Sequence, residues 1–123
     1  MRVLPLTQIA LAAAFAATSA NACMRPTVGF KFGSAQLSPE GRTEVMSVVK
    51  AARAVPDARV VVTAVTDGSK ANLQMAQRRV ALIRAMMVQR GLPARSVVVK
   101  YDRGRGAIAR SVSMDVISAP TCG

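Results

Sequence analysis

Val60-Val61-Val62-Thr63-Ala64-Val65-Thr66-Asp67-Gly68-Ser69 runs directly into residues 70–90, KANLQMAQRRVALIRAMMVQR, and this stretch decides the fold. Residues 60–65 are apolar apart from Thr63 and rich in β-branched side chains, which predicts a central strand covered on both faces. Thr66-Asp67-Gly68-Ser69 reads as a turn. From about Lys70 to Arg90, Leu73, Ala76, Val80, Ile83 and Met87 recur at helical spacing and form a buried stripe. Gly91 stops that helix and Pro93 prevents its resumption.

Outward from this core the pattern repeats. Upstream, residues 27–32 alternate enough to read as a strand, and Gly33-Ser34-Ala35 turns the chain. Ser38 is a suitable N-cap, Pro39 suits the first helical position, and Val45, Val48, Val49 and Ala52 line one face until Val55-Pro56-Asp57 ends the helix. Downstream, residues 97–99 read as a third strand, residues 101–106 as a basic, glycine-containing hairpin turn, and residues 111–117 as a fourth strand. The expected order is β-α-β-α-β-β. It implies an α/β (α+β) two-layer sandwich, with two helices packed on one face of a four-stranded mixed sheet and the last two strands closing as a hairpin.

The beginning of the chain reads differently. Arg2 precedes an uncharged run from Val3 to Ala17, and Ser19-Ala20-Asn21-Ala22 ends in small residues. That pattern is expected of a signal peptide spanning residues 1–22, leaving residues 23–123 as one domain in the periplasm. Cys23 would then be the first mature residue. A disulfide to Cys122, the only other cysteine, is expected in an oxidising compartment; lipid attachment at Cys23, making an outer-membrane lipoprotein, or a free thiol are the alternatives.

The 17 basic and 6 acidic residues give a formal charge of +11, which favours anionic polymers, anionic membrane surfaces or acidic partners. Export argues against nucleic acid. The sequence has no histidine, so Ser-His-Asp, Cys-His and histidine-based metal sites are excluded; no metal, cofactor or enzymatic activity is expected.

The segment Phe30-Lys31-Phe32-Gly33-Ser34-Ala35-Gln36-Leu37-Ser38-Pro39-Glu40-Gly41, the Val60–Thr66 strand leading into Asp67, and the helix spacing Asn72, Met75, Ala76, Arg79, Val80, Ile83, Met87, Gly91 together resemble the OmpA-like C-terminal domain family. The chain looks like a short, divergent member, with a trimmed loop between Asp67 and Asn72. Members of that family commonly bind peptidoglycan. The resemblance implies Asp67 for the ammonium and Arg79 for the carboxylate of diaminopimelate in the stem peptide, with Thr66, Asn72 and Arg110 as further ligand-binding residues. A carboxylate accepts from an ammonium, and a guanidinium can hold a carboxylate through two parallel bonds. Read without the family, Asp67 is an ordinary turn residue and Arg79 one of several solvated arginines on its helix. The alternative function is a structural or interaction protein that keeps the fold, has lost the ligand, and uses its basic surface for an envelope protein or an anionic envelope surface.

Overall fold

Ser38 begins the first helix with an extended backbone, and its Oγ accepts the Gly41 N–H at 3.0 Å; Pro39 follows where a missing N–H costs nothing. In the computed structural model, which describes residues 26–117, this helix is α1 (Pro39–Arg53). It is followed by β1 (Arg59–Thr66), α2 (Lys70–Gln89), β2 (Val97–Arg103) and β3 (Val112–Ile117). Short 3-10 turns at Ala94–Ser96 and Gly106–Arg110 precede β2 and β3. The expected stripe of α1, Val45, Val48, Val49 and Ala52, is buried throughout. On α2, Ala76, Val80, Ile83 and Met87 are buried, Leu73 is half-buried, and Arg79 joins the buried set.

The sheet has three strands in the order β2-β1-β3, with β1 parallel to β2 and antiparallel to β3. Its buried face is set by alternate residues in register. Val62 stands between Val99 and Met114, and Val60 between Val97 and Val116. Together with the helix stripes these residues form one hydrophobic core. Each fully buried Val or Ile stabilises it by roughly 1.5–3 kcal/mol. Among the described residues no helix is long and apolar enough to cross a membrane.

Four expectations are corrected here. The fold is mixed α+β in the order α-β-α-β-β, not a four-stranded β-α-β-α-β-β sandwich. Residues 27–32 supply one bridge to the sheet, Thr27 to Ser113, and then turn away, their second bridge running from Phe30 to Leu37. Val28 N–H still donates to the Val112 carbonyl at 2.7 Å, but from Gly29 onward the backbone bonds close on themselves, Ser38 to Gly29 and Lys31 to Gln36. A segment whose hydrogen bonds are spent on its own turn cannot extend the ladder. Second, β2 and β3 do not pair as a hairpin, because β1 lies between them. β2 continues to Arg103, and the following residues cross the end of β1, where Gly104 N–H donates to the Thr66 carbonyl and Val65 N–H to the Ser111 carbonyl. A Cβ on Gly104 would stand 2.5 Å from a Val65 methyl, so a larger residue at this crossing would have to displace that side chain.

Third, β1 is central but covered on one face only: Val61, Thr63 and Val65 remain half-exposed. Fourth, no disulfide is present among the described residues. Cys23 and Cys122, like the expected signal peptide at 1–22, lie outside the described residues.

Candidate functional site

β1 ends on Thr66, whose buried hydroxyl accepts the Gly68 N–H at 3.2 Å and bends the chain out of the sheet. Asp67 follows, exposed. Its Oδ1 accepts from the Ser69 N–H at 2.9 Å and its Oδ2 from the Asn72 side-chain amide at 3.0 Å. Ser69 caps α2 by accepting the Asn72 N–H at 3.3 Å. These donors, the Ser69 backbone N–H foremost, then the Ser69 and Asn72 side chains, hold the Asp67 carboxyl below its ordinary value. The loop is therefore organised around a carboxylate that is anionic at neutral pH.

Arg79 lies two turns along the helix from Asn72 and is 9% exposed. Its Nε donates to the Ser34 carbonyl at 2.9 Å and its Nη1 to the Arg110 carbonyl at 3.0 Å, while the guanidinium carbon sits 4.6 Å from the centroid of the Phe30 ring. A guanidinium has five N–H donors, so two are committed to main-chain carbonyls and Nη2 has no hydrogen-bond partner among the described residues. Burial, with the Arg110 charge second, lowers the Arg79 pKa, but a guanidinium still stays charged at neutral pH.

Around it opens a cleft of about 410 Å³, whose lining includes Val28, Phe30, Asn72, Ala76, Arg79 and Arg110. That volume suits a group the size of an amino acid with its neighbours. Of the residues expected from sequence, Asn72, Arg79 and Arg110 line this cleft. Asp67 and Thr66 do not; Asp67 is joined to the lining through its bond from Asn72. Phe30, Lys31 and Phe32 line the cleft and were not among the expected site residues. The alternation of Phe30 and Phe32 carried the signal: Phe30 turns onto Arg79, and Phe32 is fully exposed. Among the described residues no group of three or more His, Cys, Asp or Glu could hold a metal ion.

Residues 29–115 match the OmpA family, and the chain belongs to that family. This is a family of structural and binding domains, and the protein is a non-catalytic one. No curated protein sequence matches the chain significantly. Solved structures extend the likeness at the level of fold. The OmpA-like domain of FopA1 from Francisella tularensis superimposes with a TM-score of 0.60 at 16% identity, over 77% of this chain and 75% of that one. The peptidoglycan-associated lipoprotein of Burkholderia pseudomallei gives 0.57 at 17% identity, over 74% and 87%. The cell wall anchor of the type VI secretion system from Pseudomonas aeruginosa gives 0.57 at 18%, over 73% and 75%.

Proposed function

We propose that this OmpA-family domain is a periplasmic cell-envelope protein that binds peptidoglycan non-covalently, by the diaminopimelate end of the stem peptide. The observation that carries the reading is Arg79: buried in the lining of a cleft, fixed by two carbonyls, and still holding donors on Nη2. A pre-aligned guanidinium with spare donors suits a carboxylate, which it meets without first giving up side-chain freedom. The ligand ammonium goes to Asp67, which Asn72 holds beside the cleft, with Thr66 bracing the turn behind it and Arg110 in the cleft lining. The names of two solved relatives, a peptidoglycan-associated lipoprotein and a cell wall anchor, support the same reading. Residues 1–22 direct the chain to the periplasm.

The test is co-sedimentation of the purified protein with isolated peptidoglycan across a salt series, beside Arg79→Lys and Asp67→Asn. Losing one charge-assisted bond should weaken binding about ten- to a hundredfold, and the wild-type interaction should persist at moderate salt. Urea unfolding of each variant separates loss of the site from loss of the fold. If folded Arg79→Lys and Asp67→Asn sediment like wild type, the cleft is not the ligand site. A second reading rests on the internal bonds themselves. Both Asp67 oxygens and two Arg79 nitrogens are already satisfied within the chain, as they would be in an interaction protein that kept the fold without its ligand. Wall binding abolished by salt equally in all three proteins would favour it.

A further inference from the structure

The end of the molecule remote from the cleft has its own chemistry. α2 has 20 residues and is therefore about 30 Å long, with the cleft at its first turns and Arg90 at its far cap. There, two adjoining grooves of about 630 and 460 Å³ share Arg53. The first adds Arg59 and Arg95, the second Lys50 and Arg90. All five cations are exposed, and none forms an ion pair with a carboxylate among the described residues. Among the described residues, Asp57 is the one acidic residue lining either groove.

Helix chemistry explains part of this cluster. Lys50 and Arg53 occupy the last turn of α1, where a cation interacts favourably with the helix dipole, and the Arg53 Nη1 donates to the Arg90 carbonyl at 3.3 Å. Arg59 opens a strand and Arg95 sits in a three-residue 3-10 turn, so neither serves the end of α1 or α2. We infer that this pole is a docking surface for the phosphate headgroups of an anionic membrane, with Arg59 and Arg95 as its principal contacts. Arginine forks match phosphate oxygens in pairs, and each groove has three cations in its lining, Arg53 being common to both. Single-stranded nucleic acid would also seek aromatic platforms, and among the described residues neither groove has an aromatic one in its lining. The inference does not depend on the cleft, since its residues and its ligand are different. Where both hold, one end of the domain faces the wall and the other a membrane.

Vesicle co-sedimentation tests it, using phosphatidylglycerol against phosphatidylcholine vesicles and the full chain as recovered from the expressing cell. Every variant carries the same N-terminal segment, so the difference between the two lipids reads charge alone. Arg59→Glu with Arg95→Glu should lower partitioning onto phosphatidylglycerol at least about tenfold, and the neutral pair Arg59→Gln with Arg95→Gln by a smaller factor. The control pair Arg42→Glu with Arg78→Glu, which makes the same change in net charge elsewhere on the helices, should stay close to wild type. Equal losses in the two reversed pairs would overturn the surface. So would equal binding to both lipids, or stronger competition from duplex DNA than from phosphatidylglycerol at equal phosphate concentration.

Discussion

Asp67 is fully exposed, yet its carboxyl is held low by donors arranged by the chain itself, first the Ser69 backbone N–H and then the Ser69 and Asn72 side chains. The sign of the pH effect follows. Because the folded value lies below the ordinary 3.8, the stabilising contribution is complete above that value and is lost as pH falls through the lower, folded one. Between pH 5 and 8 the loop should therefore not change. A carboxyl NMR titration should place Asp67 below the ordinary aspartate range, and Asn72→Ala should bring it part of the way back. An unmoved midpoint would mean that the 3.0 Å contact from Asn72 does not hold the carboxylate. At this scale the sequence shows residue types and spacing: Asp67 and Asn72 are five apart, and their bond is local enough to expect. The partners of Arg79 were not legible. They are main-chain carbonyls of Ser34 and Arg110, 45 and 31 residues distant, and a carbonyl leaves no mark in a sequence.

The seat of α1 shows what elements do for one another. A Cβ on Gly41 would run into the Gly29 carbonyl oxygen, and Gly29 is the residue at which the N-terminal segment leaves β3 for its own turn. Gly41→Ala is a good helix substitution locally and should nonetheless destabilise the protein by about 1–3 kcal/mol, because backbone has to move. Urea unfolding measures it. A neutral or stabilising result would show that the segment is not packed against α1 as described. Both helices were legible, since stripe, cap and stop signals agree: the reading from Lys70 to Arg90 differs from α2 by one residue. Strand order was not legible. Residues 97–99 and 111–117 look like successive strands joined by a turn, and nothing in their composition says that β1 will lie between them. That outcome goes with the bonds by which the connection crosses the end of β1, from Gly104 N–H to the Thr66 carbonyl and from Val65 N–H to the Ser111 carbonyl, which are made only in the folded chain. The missing fourth strand has the same origin, because residues 27–32 have strand composition but spend their hydrogen bonds elsewhere.

Over the whole molecule, charge is the unbalanced quantity. Seventeen basic side chains face six acidic ones, and the Lys100–Asp102 pair at 3.9 Å is exposed on both sides, which makes it a weak counterweight. In ~0.01 M salt the screening length is about 30 Å, comparable to the length of α2, so cations at the cleft and at the opposite pole repel across the molecule. At ~0.15 M it falls to about 8 Å and only neighbours interact. The melting temperature should therefore rise by several degrees between these two conditions at neutral pH, since ~1 kcal/mol moves a domain of this size by roughly 4–8 °C. Arg59→Glu with Arg95→Glu should flatten that rise by relieving one crowded end. A melting temperature that falls with salt would instead mean that attractive pairs outweigh repulsion. Attraction to an anionic surface must run the opposite way and weaken over the same salt interval. A domain that gains stability while losing affinity as salt is added has a surplus of positive charge maintained for a partner, because that surplus does not serve the fold.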